Sequence, residues 1–128
     1  MDITIRNSRQ EDFQDITVLF RQLWPGKELN TDDLSVVYNR GLSSVTDKYL
    51  SVEAEGRVIG FCAMSVVNNF WQAGHIAYVY AMIVDEPLRG RGIGRNILEK
   101  AFEIAKAEGC RKMELDSAFH RVKAHEFY

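Results

Sequence analysis

The chain has 128 residues, 46% of them apolar, and its 16 basic and 18 acidic residues give a formal net charge of -2. That length suits one domain spanning 1–128 with one sizeable core, and the near-balance of charge gives no overall electrostatic reason to expect nucleic acid or an anionic membrane as partner. Cys62 and Cys110 lack metal-binding spacing, the start MDITIRNSRQ lacks the apolar stretch of a signal peptide, and no apolar run approaches the ~20 residues of a spanning helix, so the expectation is a soluble cytoplasmic protein without a metal.

Ile3 to Arg6 alternates apolar and polar residues and predicts a short strand. Ser8 with Glu11 is a capping-box signature, after which Phe13, Ile16, Phe20 and Leu23 recur at helical spacing until Pro25 and Gly26 stop the helix. Thr31 is the expected cap of a second helix over about 32–42, with Leu34, Val37 and Tyr38 on one face. KYLSVEAEGRVIGFCAMSVV has two β-rich halves joined by Glu55-Gly56, which predicts a hairpin. NNFWQAG interrupts the pattern, and residues 75–84 predict another strand with Tyr78, Tyr80, Met82 and Val84 on one side. Ile93, Ile97, Leu98, Ala101, Ile104 and Ala105 then mark an amphipathic helix ending at Gly109. KMEL reads as a short strand and RVKAHEFY as the start of a last helix. The order is β-α-α-β-β-β-α-β-α, a mixed α/β (α+β) domain whose last strand has no successor to pair with its free edge.

The chemistry concentrates in RGRGIG, residues 89–94, between the fourth predicted strand and the long helix. Gly90, Gly92 and Gly94 let the backbone turn sharply and approach a ligand closely. They stand where the helix beginning near Ile93 exposes unpaired N–H groups, and Arg89, Arg91 and Arg95 add positive charge. That combination favours a pyrophosphate or similar polyanion, against the plainer alternative of a flexible solvated turn. No Gly-Lys-Ser/Thr follows, which excludes a Walker loop, and the G-x-G-x-x-G spacing of a dinucleotide fold is incomplete.

With these residues in place, the chain resembles the GNAT superfamily of N-acetyltransferases, whose acetyl-CoA loop, R/Q-x-x-G-x-G/A, is matched by Arg89, Gly92 and Gly94 directly after a strand. AHEFY, residues 124–128, looks like the superfamily's A-x-x-F-Y segment. The resemblance implies a mostly antiparallel sheet flanked by helices. It further implies that Met82, Ile83 and Val84 hold the pantetheine through their backbone, and that the N–H groups from Arg91 through Ile93 to Arg95 hold the pyrophosphate of acetyl-CoA, the cosubstrate. Tyr128 falls on the general acid that protonates the departing thiolate, and a backbone N–H near Met82 would stabilise the oxyanion. Tyr80 and Ala81 stand where many members place a glutamate base, so Tyr80 joins the catalytic positions, and Glu53, His75, Asp116 and His120 are candidate bases. Members usually continue past the tyrosine with two more strands. Their apparent absence suggests a truncated product or cover by a second copy in a homodimer.

The reaction implied is direct attack of a primary amine of a small molecule on the thioester. Trp24, Glu28, Trp71 and His75, with Phe70 nearby, are the expected acceptor residues, the acid to attract a cationic amine and the aromatics to wall its pocket. LWPG with an acidic helix start resembles aminoglycoside 6'-N-acetyltransferases. The tail ELDSAFHRVKAHEFY resembles aminoalkylphosphonate N-acetyltransferases, for which Lys27, Arg40 or Arg121 would face the phosphonate. Acetylation of a protein or peptide, and a CoA-binding regulator without turnover, stay open beside these.

Overall fold

The computed structural model describes residues 1–116 and 125–126. Among the described residues six strands form one sheet in chain order: β1 (Thr4–Asn7), β2 (Asp47–Ala54), β3 (Arg57–Asn69), β4 (Gly74–Val84), β5 (Lys112–Leu115) and β6 (His125–Glu126). All neighbours are antiparallel except β4 and β5, which are parallel because α3 (Ile93–Ala107) crosses over between them. Helices α1 (Phe13–Leu23) and α2 (Thr31–Leu42) cover one face, where Ile16, Leu19, Phe20 and Tyr38 pack on Tyr49, Phe61 and Ala81. On the other face Ile97, Ala101 and Ala105 of α3 pack on Val52, Cys62, Val79 and Met113. Among the described residues no helix is long and apolar enough to cross a membrane.

Three local expectations are corrected. Ser8 does not cap with Glu11. A short 3-10 turn, Gln10–Asp12, precedes α1, the Asp12 carboxylate accepts the Arg9 N–H at 2.8 Å, and the Ser8 hydroxyl bonds that of Ser51 at 2.7 Å. The cap of α2 is Asn30, whose side chain accepts the Asp33 N–H at 3.0 Å, one residue before the expected Thr31. Residues 125–126, expected in a final helix, instead pair with Lys112 and Met113, because the outer edge of β5 presents unpaired backbone groups that an extended segment satisfies and a helix would not. The sheet edge expected to be bare is thus partly covered.

A fourth correction shapes the site. In the β3–β4 ladder Ala63 faces Ala81 while Met64 faces Val79, so Tyr80 is an extra residue, a β-bulge. Strict alternation would put Tyr78, Tyr80, Met82 and Val84 on one side. The bulge reverses the order, so that Tyr80 packs with the α1 and α2 core whereas Met82 and Val84 pack with the α3 core.

Candidate active site

The bulge sits where β4 parts from β5. Pairing with β3 continues to Val84 opposite Gly60, but pairing with β5 covers only Ala77 to Val79, closed by the Asp116 N–H on the Val79 carbonyl at 2.9 Å. Beyond that point one edge of β4 has no strand partner among the described residues. The wedge leads to a cavity of about 270 Å³ lined by Met82, Val84, Leu88, Arg89, Gly90 and Gly94.

The floor of this cavity is the loop into α3. Gly90 (φ 81°) and Gly92 (φ 83°) occupy the left-handed region that side-chain-bearing residues enter only with strain. A Cβ at Gly90, Gly92 or Gly94 would meet no atom within 4 Å, so the space above the loop is open. Gly92 is the N-cap of α3, and among the described residues no side chain caps the helix. Its first return bond is Asn96 N–H to the Gly92 carbonyl at 3.1 Å, which leaves the N–H groups of residues 93–95 without helical acceptors. The first turn carries Arg95 and no acid. A cation there opposes the helix dipole, an arrangement that favours a bound anion.

This loop is tied to α1 by residues that the sequence pattern does not single out. The Gln22 amide donates to the Asp85 carboxylate at 2.8 Å and accepts the Glu86 N–H at 2.8 Å. Arg57 donates to the other Asp85 oxygen at 3.1 Å, and Arg89 donates through Nε to the Val84 carbonyl at 2.9 Å. The Gln22 bond, with Arg57 behind it, outweighs the opposing effect of burial and holds the Asp85 carboxyl below its ordinary value. Gln22 and Asp85 lie far apart in sequence, and no motif signals their pairing.

Across the strand lies a second, apolar cavity of about 180 Å³, walled by Trp24, Tyr38, Tyr49, Phe61, Tyr80 and Ala81 among others. Tyr80 donates to the Tyr49 hydroxyl at 3.2 Å, and Tyr38 donates to the Arg9 carbonyl at 2.6 Å. Burial raises all three phenols above their ordinary value, so they remain protonated hydroxyls at neutral pH. Ala81 lines this cavity and its neighbour Met82 lines the other, so one peptide link of β4 separates them.

The structure brings Met82, Ile83, Val84, Arg89, Gly90, Ile93 and Gly94 together around one cavity and Tyr80 and Trp24 around the other. Arg91 and Arg95 are exposed beside the first. Three expected acceptor residues lie elsewhere. Glu28 is exposed in the α1–α2 loop, and Trp71, with Phe70, is exposed at the β3–β4 turn. His75 is the second residue of β4, seven residues before Met82 and therefore roughly 23 Å away along the strand. Its Nε2 is 2.7 Å from the Glu108 carbonyl. Of the candidate bases, Glu53 accepts from Arg6 at 2.9 Å on the far strand pair, and Asp116 accepts from the Tyr78 hydroxyl at 2.9 Å beside the wedge. His120, Arg121 and Tyr128 lie outside the described residues.

The family described as Acetyltransferase (GNAT) matches residues 6–128. An uncharacterized N-acetyltransferase of Methanocaldococcus jannaschii is 30% identical over 131 aligned positions, covering 98% of this chain, which spans only 58% of that relative's length. The aminoalkylphosphonate N-acetyltransferase of Salmonella typhimurium is 26% identical, with 97% of this chain and 80% of the relative covered. Among solved structures, an aminoglycoside N-acetyltransferase, AAC(6')-Iy, in complex with CoA superposes with a TM-score of 0.78 at 22% identity, over 90% of this chain and 76% of that one.

Proposed function

The chain belongs to the GNAT family of acetyltransferases, and from that premise we propose that it transfers acetyl from acetyl-CoA to a primary amine of a small molecule. The observation that carries the reading is the wedge beyond Val79, with its free strand edge running into an uncapped helix N-terminus flanked by left-handed glycines. A linear amide-bearing arm ending in a pyrophosphate fits both parts. Its amides can bond the open edge of Met82 to Val84 as a further strand would, and its anion can take the N–H groups of residues 93–95. Relatives that act on an aminoalkylphosphonate and an aminoglycoside support a small amine as acceptor.

Acetyl-CoA supplies an activated acyl group. The chain's part is to hold the thioester at the bulge, where a backbone N–H near Met82 can stabilise the oxyanion that develops as the amine attacks. Tyr80, kept neutral by burial, offers a hydroxyl on the acceptor side. Tyr128 is the proposed proton donor to the departing thiolate. No carboxylate lines either cavity among the described residues, so the amine's proton leaves through water or through a tyrosine hydroxyl rather than to a directly placed acid residue.

The test is calorimetric binding of acetyl-CoA together with release of free CoA thiol in the presence of small amines. Tyr128→Phe is expected to lower kcat by about a hundredfold or more while leaving acetyl-CoA affinity unchanged. Equal turnover in the variant would remove Tyr128 from the chemistry. Acetyl-CoA binding without turnover for any amine would favour a CoA-binding regulator.

A further inference from the structure

Building on the transfer reading, we infer that the acceptor is an arylalkylamine, an amine on a short arm carrying one aromatic ring, which the cavity beneath Tyr80 holds. Three observations carry this. The cavity touches Ala81, next to the Met82 position where the acyl group would be presented, so an amine on a short arm from it reaches the reacting centre. Every described residue lining it is aromatic or aliphatic, and among them the side-chain polar atoms are three tyrosine hydroxyls and the Trp24 indole N–H. Two of those hydroxyls are already paired with each other and the third with a carbonyl. Asp47, whose charge acts on the Tyr49 and Tyr80 phenols, does not line the cavity. A phosphonate, a sugar phosphate or a polyhydroxylated ring would leave its polar atoms unmatched there, a penalty that selects against them.

Size points the same way. The cavity is about 180 Å³, and an apolar protein cavity of about 150 Å³ is enough to bind benzene. One six-membered ring therefore fills it, with the aminoalkyl arm directed at β4. The walls suit the ring's faces and edges, since Tyr38 stacks on Tyr49 at 5.6 Å and Phe61 meets Tyr49 edge-on at 5.6 Å. In the transfer the neutral amine nitrogen bonds the acetyl carbon, the carbon–sulfur bond breaks, the nitrogen loses one proton and the thiolate gains one. The products are an N-acetylarylalkylamine and free CoA.

The test compares three amines that share an aminoethyl arm: 2-phenylethylamine, ethanolamine and 2-aminoethylphosphonate, each with saturating acetyl-CoA. Burying the ring is expected to raise kcat/KM for 2-phenylethylamine about tenfold to a hundredfold over ethanolamine. A phosphonate or hydroxyl amine that matches or beats it overturns the inference and leaves the transfer reading standing. Val37, about half exposed on α2, lines the cavity, so Val37→Trp should fill it without unfolding the protein, lower kcat/KM for 2-phenylethylamine at least about tenfold, and leave acetyl-CoA affinity unchanged. If no amine is turned over, the transfer reading fails separately. Calorimetry of 2-phenylethylamine into protein mixed with excess CoA then decides the cavity by itself: binding that Val37→Trp abolishes supports an aromatic-amine site, and no binding overturns it.

Discussion

Beside α3, the proposed cosubstrate surface is main chain: a strand edge unpaired among the described residues, a row of helix N–H groups, two glycines with positive φ, and exposed arginines. Across β4, the surface is buried side chain, with rings from α1, α2, β2 and β3 meeting at 5.2 to 6.4 Å and Tyr80 of β4 joined to Tyr49 through its hydroxyl. In the proposed transfer the first recognises a fixed, charged, extended group with atoms every residue possesses, so it depends on conformation and hardly on side-chain identity. The second recognises shape, so it depends on which side chains occupy a handful of positions. One is also peripheral to the hydrophobic core, whereas the other is part of it, and damage to the two sides should therefore register in different measurements.

The largest effect should come from the core side. Phe61 is fully buried and packs edge-on against Phe20 and Tyr49, so Phe61→Ala should destabilise the protein by about 3–5 kcal/mol, read as a lower thermal midpoint or denaturant midpoint. A loss under about 1 kcal/mol would mean that the aromatic wall is not core, and the contrast between the two sides would collapse.

Next is the loop. Gly92→Asp forces a side chain into a φ of 83°, costing about 1–2 kcal/mol of stability. Its carboxylate would also cap the N–H groups meant for the pyrophosphate and repel that group, lowering acetyl-CoA affinity about a hundredfold or more. Because the space around Gly92 is open, the fold should survive. Calorimetry with acetyl-CoA alongside thermal unfolding separates the two effects, and unchanged affinity would end the loop assignment.

The smallest effect concerns the tether between the sides. Gln22→Ala would leave the Asp85 carboxylate and the Glu86 N–H without their partner on α1, expected to lower stability by about 1–2 kcal/mol and acetyl-CoA affinity by about tenfold. The pH dependence has a definite sign. The folded pKa of Asp85 lies below the ordinary 3.8, so its contribution is full above that value and is lost as pH falls through the folded pKa. Removing Gln22 brings the folded pKa back toward 3.8. Acid unfolding profiles of the two proteins should then converge at low pH, and a variant whose deficit grows on acidification would contradict the assignment.

Much of this organisation is legible in the chain. Helical periodicity places α1, α2 and α3, Glu55-Gly56 places the β2–β3 turn, and RGRGIG places the glycine turn into α3, because each depends on residues close in sequence. The caps fail by a residue or so, since Ser8, Thr31, Asn30 and Asp12 are chemically near-equivalent as caps and long-range partners such as Ser51 choose among them. The aromatic cavity fails more instructively. Trp71 and Phe70 look like pocket walls by composition but protrude into solvent, while Tyr38, Tyr49 and Phe61, which look like ordinary core, line the cavity.

The sequence by itself determined the order of the elements through Ala107 and Leu115, the membership in a fold family and the place of the glycine-arginine loop proposed to hold the pyrophosphate, since periodicity, glycine and a helix start are local properties. Tertiary structure alone decided where β4 parts from β5, which way its side chains face after Tyr80, and which rings enclose the apolar cavity. A bulge reverses the inside and outside of a strand without changing its alternating pattern of residues, so the two sides of the site become distinguishable only once the neighbouring strands have set the register.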